Sequence, residues 1–110
     1  MNNDELEWHD GVLDEMHVKG NGEINVTCHL YPSSNAKIRE QYFLNCIGVT
    51  AFTSSIDVHA LLQNKRAGNI NNGRIESPKR GVSVLKLFLS DGYIELAAKK
   101  ITIDQVPDSD

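Results

Sequence analysis

The stretch that decides the fold runs Val12-Leu13-Asp14-Glu15-Met16-His17-Val18-Lys19-Gly20-Asn21-Gly22-Glu23-Ile24-Asn25-Val26-Thr27-Cys28-His29-Leu30-Tyr31. Val12 to Lys19 and Glu23 to Tyr31 both alternate apolar with polar, which is the period of a strand with one face buried. Glycine on either side of an asparagine between two such runs signals a hairpin. A two-residue Asn21-Gly22 loop would set Val18 against Asn25 and Met16 against Thr27, mixing the two faces. A three-residue Gly20-Asn21-Gly22 loop sets Lys19 against Glu23, Val18 against Ile24, Met16 against Val26 and Val12 against Leu30. That puts apolar opposite apolar and plus opposite minus, so the second register is expected, with Gly22 supplying the positive φ of a bulged turn. Val12, Met16, Val18, Ile24, Val26, Cys28 and Leu30 then face a core, and Glu15, His17, Asn25, Thr27 and His29 face outward.

Working outward, Pro32-Ser33-Ser34-Asn35 is a turn. Ile38 to Phe52 is the most apolar part of the chain and is expected as a central strand, broken near Gly48 by a bulge. Val58, Leu61, Leu62 and Lys65 fall at helical spacing. With Ser54 or Ser55 as the N-cap and Gly68 as the close, they predict one short helix over 55–66. Ala67-Gly68-Asn69-Ile70-Asn71-Asn72-Gly73, running on to Ser77-Pro78, has the composition of a polar loop. Gly81–Ser90 and Tyr93–Ile103 flank Asp91-Gly92, a strong hairpin signal. Counting back from that turn pairs Leu89 with Ile94, Leu87 with Leu96, Leu85 with Ala98 and Phe88 with Glu95. The apolar phase then slips between Ala98 and Ile101, which predicts a bulge near Lys99-Lys100. The expected fold is mainly β (α+β). Five to six antiparallel strands built on two hairpins form a curved sheet, small sandwich or half-barrel, with one short helix. It is a single domain over 1–110, ordered over about 6–103, with 104–110 a frayed acidic tail.

The 110 residues suit one domain, and a 40% hydrophobic and 24% charged composition is that of a globular chain. The apolar run Phe43–Phe52 is too short to span a membrane, which takes about 20 residues. The N-terminus Met-Asn-Asn-Asp-Glu-Leu-Glu is acidic where a secretory signal is basic, so a cytoplasmic protein with two reduced thiols, Cys28 and Cys46, is expected. The net charge is −4, against the basic balance that nucleic-acid binding favours. It is unevenly spread. Residues 1–64 carry nine acids and three bases, while residues 65–100 carry eight bases and three acids. Lys65, Arg66, Arg74, Lys79 and Arg80, with Lys99 and Lys100 beyond, are therefore the candidates for a basic face.

Metal and catalytic motifs are not found. In the preferred register His17 and His29 lie four rungs apart, about 13 Å, too far to share a zinc. No His-x-x-x-His spacing, nucleophile elbow or phosphate loop occurs. Cys46 sits in an apolar strand where burial keeps a thiol inert. No metal, no cofactor and no enzymatic activity are expected. Trp8-His9-Asp10-Gly11 is the one polar-aromatic cluster, at the mouth of the first strand. Trp8 serves there as a lid on the core, or else it joins His9, Asp10, His17 and His29 in a contact surface.

Trp8-His9-Asp10-Gly11-Val12-Leu13 followed by a meander resembles the "H-D-a/g-x-L" start of several small bacterial β-domain families, some of them uncharacterised. Others are similar to immunity proteins of polymorphic toxin systems, including the immunity protein 50 type. Cys46-Ile47-Gly48-Val49-Thr50, with Ser55-Ile56-Asp57 after it, resembles the "f-x-G-V" strand of such families. Gly68-Asn69-Ile70-Asn71-Asn72-Gly73 resembles their "G-N-I…G" segment. Leu89-Ser90-Asp91-Gly92-Tyr93-Ile94-Glu95-Leu96 is similar to their "l-x-D-G-x-I-x-l" segment. The likeness covers most of residues 6–103, and departs from the immunity type in lacking a tryptophan- and proline-rich segment ahead of Trp8. It implies a protein-interaction module, as in an immunity-like inhibitor, and the acidic N-terminal half suits a basic toxin as partner. The alternatives are a structural domain that homodimerises through exposed strand edges, and a nucleic-acid or small-ligand binder using the basic 65–100 segment.

Overall fold

The computed structural model describes residues 6–56, 69–90 and 92–106. Six strands account for nearly all of them: β1 (Glu7–Val18), β2 (Ile24–Tyr31), β3 (Glu40–Ile56), β4 (Asn69–Lys79), β5 (Val82–Leu89) and β6 (Gly92–Gln105). All neighbours are antiparallel, and the order β1-β2-β3-β6-β5-β4 closes into a barrel. Closure replaces the expected open sheet or half-barrel because the 69–79 segment joins β5 to β1 as a strand. Its seam with β1 is two rungs long, Gly11 against Ile70 and Val12 against Asn69.

The interior is filled by alternate residues, as in small barrels generally. Ile24, Val26, Cys28 and Leu30 of β2 meet Tyr42, Leu44 and Cys46 of β3, Leu85, Leu87 and Leu89 of β5, and Ile94, Leu96 and Ala98 of β6. Leu6, Trp8, Ile70 and Ile103 complete this core. Tyr42 Oη is buried there with no hydrogen-bond partner. Cys28 and Cys46 are free and buried, and burial pushes their thiols up to about 12 and about 11 respectively.

The first turn follows the three-residue register. Val18 pairs with Ile24 and Met16 with Val26, Gly22 has φ +84°, and Lys19 Nζ lies 3.5 Å from a Glu23 carboxylate oxygen. Further along, the register departs from the expected one. Leu13 pairs with Cys28 and Val12 with His29, so Asp14 is a bulge and Val12 does not face Leu30. Val18 is not a core residue either, being 67% exposed, and Val12 and Met16 are only partly buried. Beyond Val12, β1 pairs with β2 alone among the described residues, and Leu13 and Met16 pack only against the margin of the core.

The expected polar loop over 67–78 is, within its described part, strand β4. Its asparagines and glycine mask the strand pattern because bulges reset the alternation. Asn71 is extra between the Ile70–Leu89 and Asn72–Phe88 pairs, and another extra residue falls between Glu76 and Lys79, where Pro78 lies. Gly73 is buried because the Trp8 ring lies on it: an added Cβ would stand 2.7 Å from that ring.

The 55–66 helix falls almost wholly outside the described residues, and no helix occurs among those described. Its proposed caps, Ser54 and Ser55, continue β3 opposite Ile94 and Tyr93. In the second hairpin Leu89 pairs with Gly92, Leu87 with Ile94, Lys86 with Glu95 and Leu85 with Leu96, two residues off the expected register. A two-residue shift keeps every side chain on its face. It brings Phe88 beside Tyr93, ring centroids 4.9 Å apart, and sets Lys86 opposite Glu95, both better partners than Phe88 with Glu95.

The apolar phase does slip along β6, from Ala98 to Ile103, but the extra residue is Thr50 in the partner strand. Gly48 has φ +69°, and the Lys99 stem packs against it. Asp104 and Gln105, expected in the tail, belong to a strand. β6 runs to Gln105, and the Val106 N–H donates to the Gln41 carbonyl at 2.8 Å.

Candidate functional site

Trp8-His9-Asp10-Gly11 forms a large bulge. Glu7 pairs with Tyr31 and Val12 with His29, so four residues of β1 stand opposite the single Leu30. Bulges concentrate at barrel rims and re-aim side chains, and this one splits the cluster in two. Trp8 turns inward and is 7% exposed. The His9 and Asp10 side chains turn out and are 66% and 65% exposed. Gly11 is needed at the crossing, since a Cβ there would stand 2.7 Å from a Leu30 methyl and 3.0 Å from two backbone carbonyl oxygens.

Asp10 takes φ +64°, the one described non-glycine residue with positive φ. Such a conformation is strained and persists only when its surroundings hold it. Here they do. The Arg39 Nε–H donates to the Asp10 carbonyl at 2.8 Å, and the Arg39 guanidinium lies 5.3 Å from the centre of the Tyr31 ring. His9 is fixed at three points. Its backbone N–H donates to a Glu7 carboxylate oxygen at 3.1 Å, its Nδ1–H donates to the Asn71 carbonyl at 3.0 Å, and its Nε2 lies 3.6 Å from Asp10 Oδ2. The Asn71 carbonyl belongs to the residue that bulges from β4, so one bulge serves the other. The imidazole pKa is raised, first by the Asn71 hydrogen bond and then by Asp10 and Glu7. The protonated ring is therefore favoured beside these carboxylates.

Beside the pair is an open depression of about 630 Å³, lined by Glu7, His9, Asp10 and Tyr31 and by Ser33, Ser34, Ala36 and Lys37 of the β2–β3 connection. The same connection carries Ile38, 74% exposed. His29 belongs to a separate pair: its Nδ1–H donates to Asp14 Oδ2 at 2.6 Å, across the second bulge of β1. His17 is exposed opposite Asn25, nearer the other end of β1. Thus His9 and Asp10 share one site, Trp8 supports it from inside, and His17 and His29 lie apart from it. Among the described residues no three His, Cys, Asp or Glu side chains are grouped to hold a metal ion.

Within the candidate basic face, Arg74 has described partners. Arg74 Nε and Lys86 Nζ lie 2.6 Å and 2.9 Å from the two Glu76 carboxylate oxygens, and they hold that carboxyl below its ordinary range. The Arg74 guanidinium is also 5.5 Å from the Phe88 ring centre. Arg80 is exposed at the β4–β5 turn; Lys65 and Arg66 lie outside the described residues, and Lys79 is described only as a backbone position in β4.

Sequence reasoning singled out Trp8, His9 and Asp10 but missed Arg39, Tyr31, Asn71 and Ile38. Ile38 carries a signal: it is an isoleucine just after a Pro-Ser-Ser-Asn turn, among the charged residues Lys37, Arg39 and Glu40. Arg39 and Asn71 carried none, because their roles depend on chain-distant partners. Comparison of this chain with protein-family models, with curated proteins and with solved structures gives no match.

Proposed function

We propose that this chain is a small cytoplasmic protein-interaction module whose contact surface is the strand-end depression around His9 and Asp10. In its most specific form it is an immunity-like inhibitor of a basic toxin. The supporting observation is the bulge itself. It holds an exposed His–Asp pair at the barrel rim at the cost of backbone strain at Asp10, and Ile38, exposed on the β2–β3 connection, adjoins in sequence the Arg39 that bonds the Asp10 carbonyl. A held polar pair and an unburied aliphatic side chain on the connection that lines the same depression suit a protein contact, with the isoleucine as anchor and the pair setting orientation. Charge supports a basic partner: residues 6–56 carry six carboxylates and three cations.

The test is capture of a stoichiometric partner by the tagged chain, compared with Ile38→Asp and Asp10→Gly. Glycine accepts φ +64° without strain, so Asp10→Gly removes the carboxylate and keeps the fold. Both variants are expected to unfold at the wild-type temperature and to weaken capture at least tenfold. Wild-type binding is expected to fall as salt rises. Equal capture by all three proteins overturns the reading.

A second reading, homodimerisation through a strand edge, is favoured by one observation. β3 runs well past the end of β2.

A further inference from the structure

β2 and β3 pair from Leu30–Glu40 to Ile24–Cys46. Among the described residues the last backbone hydrogen bond on that side is the Val49 N–H, which donates to the Gly22 carbonyl at 2.9 Å. From Thr50 to Ile56, β3 pairs only with β6, from Ala51–Ala97 to Ile56–Gly92. No described residue pairs with its other edge. In an antiparallel ladder every second residue turns both its N–H and its C=O to such an edge. Thr50 to Ser55 are all exposed, including Phe52.

The segment reads Thr50-Ala51-Phe52-Thr53-Ser54-Ser55-Ile56. It contains no charge, no proline and no glycine. Edge strands are normally blunted by lysine, by proline, by shortness or by a bulge. The bulge at Thr50 sits at the root of this stretch, and the residues beyond it carry no such device. Threonine, phenylalanine and isoleucine favour extended chain.

We propose that the Thr50–Ile56 edge pairs with the same edge of a second copy of this chain, antiparallel about a two-fold axis. The proposal rests on the second reading above and names its surface. The absence of charge favours an identical partner: a two-fold axis sets each residue against another from the same short segment, and no like charges meet. Centred on Thr53, the pairing sets Thr53 against Thr53, Phe52 against Ser54, Ala51 against Ser55 and Thr50 against Ile56. The result is a sheet continuous through β5, β6 and β3 of both copies. The contact is isologous, so it closes at two subunits and does not propagate.

The test is light scattering of the whole chain across a concentration series, with Thr53→Lys, Thr53→Glu and their equimolar mixture. Wild type is expected to approach twice the 12.2 kDa chain mass. Each variant is expected to stay at the chain mass, with unchanged circular dichroism, and the mixture to return toward the dimer. Amide exchange at 51–55 is expected to slow with concentration in the wild type. A wild-type monomer overturns the proposal, including one whose 51–55 amides are protected at every concentration, because the chain's own segment then covers the edge. A dimer that survives both substitutions overturns it as well. The Thr53 variants leave His9, Asp10 and Ile38 untouched, so capture of a heterologous partner is judged separately.

Discussion

Single residues bear much of this architecture, and glycines show it best. Gly73 appears in the sequence as part of a loop, yet it lies under the Trp8 ring, where an added Cβ would stand 2.7 Å from one ring carbon and 2.9 Å from another. Neither the ring nor the strand can give way cheaply, and overpacking a full core costs about 1–3 kcal/mol. Gly73→Ala is therefore expected to lose about that much stability in urea titration. Wild-type stability in the variant would mean that Trp8 does not pack on β4. Asp10 is the converse case: a strained residue in a place glycine would fill comfortably, with its carboxylate beside His9. His9, Asp10 and Gly11 were legible as a cluster because they adjoin in sequence. The Arg39 and Asn71 groups that hold them were not, because no local pattern links residues 29 and 62 positions away from their partners.

At the scale of elements, cross-strand chemistry outweighs turn grammar. Asp91-Gly92 is a strong hairpin dipeptide, but the strands pair two residues off the register it implies. The observed register gains Leu87–Ile94, Lys86–Glu95 and the Phe88–Tyr93 ring contact together. A double-mutant cycle on Phe88→Ala and Tyr93→Ala is expected to give a coupling of about 0.5–1.5 kcal/mol. The turn-derived register, which sets Phe88 against Glu95, requires no coupling between these two rings. The helix expected over 55–66 met a related limit at its start. Ser54 and Ser55 are good caps in isolation, but both continue β3 in register with β6, opposite Ile94 and Tyr93. β4 was missed because bulges at both ends of the strand break the alternation that marks a strand.

At the scale of the whole molecule, the barrel makes a closed apolar interior, and its two thiols report on that closure. The unfolded chain ionises cysteine near its ordinary value of 9.0, whereas burial in the folded chain pushes Cys28 up to about 12 and Cys46 up to about 11. Both folded values are raised. Their contribution is constant below pH 9, and stability falls as pH rises from there toward the folded values, because only the unfolded chain gains by releasing the proton. Each thiol adds a slope of up to about 1.4 kcal/mol per pH unit in that window. Urea titrations at pH 8 and pH 10 are expected to show the fall, and Cys28→Val to make it shallower. An unchanged slope in that variant would place Cys28 outside a closed core.

The sequence by itself determined the antiparallel, mainly β character, the first turn with Gly22 at positive φ, and the inward set on β2, β5 and β6. Each follows from period-two patterning and local turn chemistry, which neighbouring residues carry. Only the tertiary structure decided that the sheet closes, that 69–79 is a strand, and that Trp8 points in while His9 and Asp10 point out. It also decided that β3 outruns β2. Those outcomes depend on bulges, and a bulge is chosen by what packs across the barrel, not by the residues on either side of it in the chain.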